Sequence, residues 1–267
     1  MNNRIDQKFS VLRQNKQKAF IAYITAGDPD LATTEQLVYA FEKAGVDIIE
    51  LGVPFSDPMA DGPTIQAASS RALKNNVSLN VILDLVTRIR QHSQIPIALM
   101  TYYNPVFSMG DSVFVNRAVK AGVDGVIIPD LPPEEAVELQ NAAKLAGLST
   151  IFFMAPTTTD ERLVAITKAS TGFLYYVSLT GVTGARVELS KSIAKDYARA
   201  KKITQSPVCV GFGISTKEQV KQVSQHADGV IVGSAIVKEI EKNIGRKELV
   251  TQVARFVNEL VMALRKA

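Results

Sequence analysis

Tryptophan is absent from the 267 residues, cysteine occurs once and histidine twice. A single thiol excludes both a disulfide within the chain and a thiolate metal cluster. Cys209, inside PVCVGFG, reads as a small apolar side chain of a strand. His92 and His226 each fall near the expected end of a helix, where a surface role is the default. A metal site or a serine–histidine pair would need partners that the sequence lacks. Long hydrophobic runs are also missing. GVIIP and IFFMA are far shorter than the ~20 residues that cross a bilayer. The N-terminal MNNRIDQKFSVLRQNKQK is polar, has no apolar signal core, and reads as a leading helix. The expected location is the compartment of synthesis: the cytoplasm, or the plastid stroma if the chain is organelle-encoded. No charge of one sign dominates, since 30 Lys and Arg oppose 26 Asp and Glu for a net +4. The densest basic cluster is ARAKK at 198–202, whereas a nucleic-acid surface needs a concentrated stripe. The small positive excess suits an anionic small substrate.

What is present is an alternation. AFIAYI (19–24) is a strand, and Leu37, Val38, Phe41 and Ala44 follow at helical spacing before Gly45 and the strand DIIEL. Ile82, Leu85, Val86 and Ile89 mark a helix before IPIALM, and Phe114, Ala118 and Ala121 another before GVIIP. Pro132 and Pro133 followed by Glu134 and Glu135 predict the start of the next helix, which ends at Gly147 before STIFFM. Thr158 with Glu161 predicts a capping box, and GFLYYV (172–177) is the sixth strand. A helix from about Ser190 to Ile203 leads to PVCVG; Ser215 with Glu218 predicts a second capping box before GVIVG (229–233). An amphipathic helix with Val250, Val253, Phe256 and Leu260 closes the chain. The join between helix and strand recurs as AGVDIIEL, AGVDGVII and AGLSTIFF, with a looser echo in HADGVIV. Eight strands, several apolar on both faces and each followed by a helix, predict one domain over 1–267: a (β/α)8 TIM barrel with an extra N-terminal helix. An open doubly wound sheet would want a Gly-rich loop after the first strand, where TAGDPD stands instead.

In such a barrel the working residues lie at the C-terminal ends of the strands. Glu50 ends the second strand, where burial would raise its pKa toward the range useful for proton transfer. A structural carboxylate tied to a neighbouring element is the competing reading. Asp61 follows eleven residues later in a loop stiffened by Pro54, Pro58 and Pro63, so it is positioned to face the same pocket; Asp57, in Ser-Asp-Pro, has the look of turn chemistry. Opposite, GVTGA (181–185), GFGIS (211–215) and GSAIV (233–237) follow strands 6, 7 and 8. Glycines there let backbone N–H groups approach a phosphate, and Ser234 heads a short helix, Ala235 to Ile240, whose dipole favours a dianion. Tyr23, Thr25, Tyr102, Tyr175 and Phe212 would line the space between. Each alone is more often plain core, but together they suggest a flat apolar substrate moiety with a phosphate tail.

AYITAGDP, ELGVPFSDPMADGPTIQ, YYVSLTGVTGAR, GFGIST and VGSAIVK, in that order, make the chain resemble the tryptophan synthase α subunit family from roughly residue 15 to the end. The 17-residue stretch at 50–66 is the most specific part. The resemblance implies a lyase that cleaves indole-3-glycerol phosphate to indole and glyceraldehyde 3-phosphate by a retro-aldol reaction. It implies Glu50 as the catalytic acid and base, Asp61 as the partner of the indole N–H, and Tyr175 beside the glutamate. Thr183 would belong to a closing loop, and Gly184, Gly213, Gly233 and Ser234 to the phosphate turns. It further implies no metal and no cofactor on this chain, with pyridoxal phosphate held by a β subunit that receives indole in an α2β2 assembly. The chain departs from many members at Tyr23, where they carry Phe, and at Leu179-Thr180, where they carry Arg-Ala. A stand-alone indole-releasing lyase and a non-catalytic sugar-phosphate-binding barrel stay open as alternatives.

Overall fold

The computed structural model describes residues 3–177, 186–211 and 213–267, and for 186–191 the backbone alone. The first half runs α1 (Arg4–Gln14), β1 (Ala19–Thr25), α2 (Leu31–Lys43), β2 (Ile48–Gly52), α3 (Pro63–Leu73), α4 (Leu79–Ile89), β3 (Ile97–Met100), α5 (Tyr103–Met109), α6 (Asp111–Ala121) and β4 (Gly125–Ile127). There follow α7 (Val137–Ala146), β5 (Ser149–Ile151), β6 (Phe153–Met154), α8 (Asp160–Ala169), β7 (Leu174–Val177), α9 (Arg186–Ile203), β8 (Val208–Gly211), α10 (Lys217–Ser224), β9 (Gly229–Val232), α11 (Ser234–Asn243) and α12 (Leu249–Arg265).

All pairings are parallel, in the order β5-β4-β3-β2-β1-β9-β8-β7-β6. The two ends of that order, β5 and β6, are separated in sequence by Phe152 alone. The nine strands are therefore the expected eight, with STIFFM broken: Ser149–Ile151 pairs with β4 and Phe153–Met154 with β7. The chain closes a TIM barrel. Alternation along each strand decides which residues point inward. Ile21, Ile48, Ala98, Ile127, Ile151, Cys209 and Ile231, from seven of the eight strands, and Phe173, directly before β7, share one buried cluster. Ile5, Phe9 and Leu12 of α1 join that cluster and so close the barrel at the N-terminal ends of the strands. The alternate residues, such as Phe20, Ile49, Leu51, Leu99, Val210 and Val232, face outward and pack under the helices. Both faces of every strand are covered, which is why the strands read as continuous apolar runs.

The recurring AGVD join has a physical role. Asp47 Oδ2 accepts the Phe20 N–H at 2.8 Å, Asp124 Oδ2 the Ile97 N–H at 2.9 Å, and Asp228 Oδ2 the Val208 N–H at 2.9 Å. Each carboxylate thus ties down the start of the neighbouring strand. Each is also paired: Asp47 with Arg265 at 2.6 Å, Asp124 with Arg4 at 2.8 Å and Arg90 at 2.9 Å, and Asp228 with Lys201 at 3.2 Å. In AGLSTIFF the equivalent residue is Ser149, whose hydroxyl accepts from Asn3, the N-cap of α1.

Several boundaries differ from the sequence reading. α7 begins at Val137 rather than at the prolines. Pro132 heads a turn closed by the Glu135 N–H, and Pro133 O is taken by the Gln140 side chain. Thr159, not Thr158, caps α8, because the Thr158 hydroxyl turns back to accept the Ala155 N–H. The capping box of α10 is Thr216 with Gln219 instead of Ser215 with Glu218; the Gln219 side-chain oxygen accepts the N–H groups of both 215 and 216. α9 starts four residues before Ser190, and α11 runs three residues past Ile240. α3 and α5 go beyond the expectation. For α3 the signal was present: Pro63 at the first helical position, then Ile65, Ala68 and Ala72 at helical spacing.

Candidate active site

Glu50 is the third of the five residues of β2, which runs on to Gly52 instead of ending at the glutamate, and it lies opposite Tyr23 of β1 and Ala98 of β3. It has the same parity as Ile48, so it points into the barrel, and it is 1% exposed. Neither carboxyl oxygen has a hydrogen-bond partner among the described residues. That separates it from the other buried acids. Asp28, Asp47, Asp124 and Asp196 are each bonded to an arginine or a phenol. A structural carboxylate would be bonded as those are. Burial, reinforced by the charge of Asp61, raises the Glu50 pKa from 4.5 to about 8.

Two phenol rings flank it. At Gly52 a Cβ would overlap the Tyr23 hydroxyl and lie 2.7 Å from its Cζ. At Gly211 a Cβ would lie 2.7 Å from Cε1 and from the hydroxyl of Tyr175. These strand-end glycines make the room in which the two rings stand. Tyr175 also packs on Phe153, with ring centroids 4.8 Å apart. The Tyr23 hydroxyl lies 3.3 Å from that of the buried Thr25. Burial raises the pKa of both phenols, and the charge of Glu50 adds to the effect in each. They remain neutral donors at any physiological pH.

The loop after β2 brings in Asp61. The Tyr102 hydroxyl accepts the Ala60 N–H at 2.9 Å and bonds the Asp61 carboxylate. Phe55 stacks on the Tyr102 ring at 5.0 Å, and the Gln66 side chain donates to Asp61 O at 2.8 Å. Asp61 is half-buried; burial raises its pKa while the Tyr102 bond lowers it. Burial foremost, then the Asp61 charge, raises Tyr102 to about 12. Asp57 is exposed and bonds the adjacent Ser56 hydroxyl, the local turn contact foreseen for it.

On the neighbouring strands, Gly213 follows β8 at φ +75°, and Gly233 N-caps the ten-residue α11, which opens with Ser234. A Cβ at Gly233 would press 3.3 Å from the Tyr23 Cβ. The backbone N–H groups at the start of α11 therefore emerge at the same end of the barrel as Glu50 and beside the Tyr23 ring. Thr183, Gly184 and Phe212 lie outside the described residues. Sequence reasoning passed over Gly52, Gly211, Phe55, Gln66 and Phe153. The first two were findable as glycines at strand ends on the inward parity; the others depend on loop and ring placement. No group of three or more His, Cys, Asp or Glu among the described residues could hold a metal.

The profile of the tryptophan synthase alpha chain family matches residues 9–265. The tryptophan synthase alpha chain of Geobacter sp. (strain M21) is 49% identical over 264 residues, covering 99% of this chain and 98% of the relative. The crystal structure of tryptophan synthase subunit alpha from Legionella pneumophila str. Paris superposes with a TM-score of 0.93 at 39% identity, and each chain is covered in full. A chain of the tryptophan synthase complex from Pyrococcus furiosus superposes with a TM-score of 0.83 at 42% identity, over 92% of this chain and 99% of that one. An inward glutamate, unpaired among the described residues, at the mouth of a TIM barrel and near-complete alignment with these relatives lead to one conclusion: the chain belongs to the tryptophan synthase alpha chain family.

Proposed function

We propose that the barrel, working as one domain over 1–267, cleaves indole-3-glycerol phosphate into indole and glyceraldehyde 3-phosphate, with Glu50 and Asp61 as its catalytic acids. The observation that carries the reading is the Glu50 carboxyl: it is buried, unpaired among the described residues, and holds a proton up to about pH 8. In that state it delivers the proton to C3 of the indole ring. The carbon–carbon bond to the glycerol side chain then breaks, and its electron pair returns to the ring. The side-chain hydroxyl loses its proton to the Glu50 carboxylate as the aldehyde forms, so the acid is restored and the protons balance. Asp61, aimed by Tyr102 and Gln66, accepts the indole N–H and supports the charge that develops on nitrogen.

Tyr23, Thr25, Tyr102 and Tyr175 form the walls of the indole pocket; the part that the sequence implies for Phe212 falls outside the described residues. Gly213, Gly233 and Ser234 hold the phosphate at the N-terminus of α11, and the parts that the resemblance implies for Thr183 and Gly184 fall outside the described residues. The chemistry needs proton transfer alone, so this chain carries neither metal nor cofactor. The partner is a tryptophan synthase β subunit that holds pyridoxal phosphate, in an α2β2 assembly. The occurrence of a similar chain in the Pyrococcus furiosus complex supports that partnership. No helix among the described residues is long and apolar enough to cross a membrane, and the bacterial relatives support a cytoplasmic site of action.

The test is to mix the purified chain with indole-3-glycerol phosphate and measure indole. Release should be slow alone and much faster with the β subunit, and Glu50→Gln should bring it down by about 10²-fold or more, because no other group replaces the proton donor. Substrate binding without indole under every condition would overturn the reading.

A further inference from the structure

We propose that Arg71 is a positioning residue that sets the span between the acid end and the phosphate end of the site. Arg71 lies on α3 and reaches two other βα units. Its Nε and Nη2 donate to Asp28 Oδ1 and Oδ2 at 2.7 and 2.8 Å, and its Nη1 to Glu241 Oε1 at 2.8 Å. Asp28 follows β1 and is 1% exposed; Glu241 is on α11. The guanidinium fork thus joins the β1 loop, α3 and α11 in fixed geometry.

The two helices each carry a site group at the opposite end. α3 begins at Pro63, directly after Asp61 and its cap Gly62, and α11 begins at Ser234 after Gly233. Arg71 stands eight residues into α3 and Glu241 seven residues into α11, which is roughly 12 and 10 Å along the axes. Between the ends, Ile65 and Ala68 of α3, Val237 of α11 and Tyr23 form one buried cluster. That cluster acts as a pivot, and the ion pairs fix the helices on its far side. A tilt at Arg71 therefore moves Asp61 relative to the N-terminus of α11. A buried ion pair is a poor source of net stability compared with apolar packing, and its orientation is what it specifies.

This inference rests on the proposed cleavage, and the test separates the two. Indole and glycerol 3-phosphate each engage one end of the site, whereas the whole substrate spans both. In Arg71→Met, kcat/KM for indole-3-glycerol phosphate should fall about 10- to 100-fold while the dissociation constants of the two fragments stay within about 2-fold of wild type. Glu241→Gln removes only the half-exposed arm on α11 and keeps the test available if Arg71→Met does not fold. It should lower kcat/KM about 3-fold with fragment binding unchanged, and Arg71→Lys should fall between wild type and Arg71→Met. Unchanged kcat/KM in the folded variants, or fragment binding that weakens in step with it, would overturn the positioning role. A wild-type chain that releases no indole would instead overturn the cleavage itself.

Discussion

Glu50 shows how one side chain is set by its surroundings. Its folded pKa of about 8 exceeds its ordinary 4.5, so the folded chain holds a proton there that the unfolded chain releases. Stability therefore falls as pH rises from 4.5 to about 8, and the group makes no difference below that window. The full cost above the window is on the order of 3–5 kcal/mol. Glu50→Gln should accordingly gain several kcal/mol over wild type above pH 8 and match it below pH 4.5, read from urea midpoints at both ends. The same protonation predicts that kcat/KM for cleavage declines by about tenfold per pH unit above roughly pH 8, because the donor form is lost. A flat profile from pH 7 to 10 would be inconsistent with Glu50 as donor. Gly211 carries a second prediction. Gly211→Ala places a methyl 2.7 Å from the Tyr175 ring, so the ring must move. The expected result is about 1–3 kcal/mol lost in unfolding and a drop in kcat/KM. Glu50 was legible as a carboxylate ending an apolar strand. Gly52 and Gly211, which admit its neighbours, could be found by their inward parity at strand ends, but the need for them could not, because it arises from ring contacts across strands.

At the scale of elements, propensity and periodicity located the strands well, while the helix starts depended on which hydroxyl or amide won the cap. Thr158 loses that role to Thr159 because its hydroxyl satisfies the Ala155 N–H, a competition invisible in a Ser/Thr count. The AGVD repeat was legible as a pattern but not as a device. Its meaning appears once Asp47, Asp124 and Asp228 are seen to accept an N–H from the preceding strand. Asp124 is buried and serves Ile97 N–H, Arg4 and Arg90 together; burial lowers the Arg90 pKa to about 10, opposed by this carboxylate. Removing it leaves two guanidinium groups uncompensated. Asp124→Ala should therefore cost about 3–5 kcal/mol in chemical denaturation, while kcat of the remaining folded enzyme stays near wild type, since this end of the barrel lies opposite the site. A loss of kcat with stability unchanged would contradict that division.

The whole molecule closes through two seams. β1 pairs with β9, joining the two ends of the chain, and the broken fifth strand divides its bonds between β4 and β7. Deleting residues 229–267 would remove β9, α11 and α12 and leave β1 and β8 with open edges. The truncated chain is expected to aggregate on expression instead of forming a smaller barrel, as size-exclusion chromatography would show. Substantial monomer with native circular dichroism would refute the dependence on closure. The order of residues determined the class of fold by itself: eight near-continuous apolar stretches, separated by helices, can bury both faces only as a covered parallel sheet. It also determined which acid lies inside an apolar strand. Only the tertiary structure decided that Glu50 is left without a partner among the described residues while Asp28, Asp47 and Asp124 are matched. It also decided that Tyr102 aims Asp61, and that Arg71 links α3 to α11. Those outcomes depend on distances between residues tens to hundreds of positions apart, and such distances exist only after the barrel has closed.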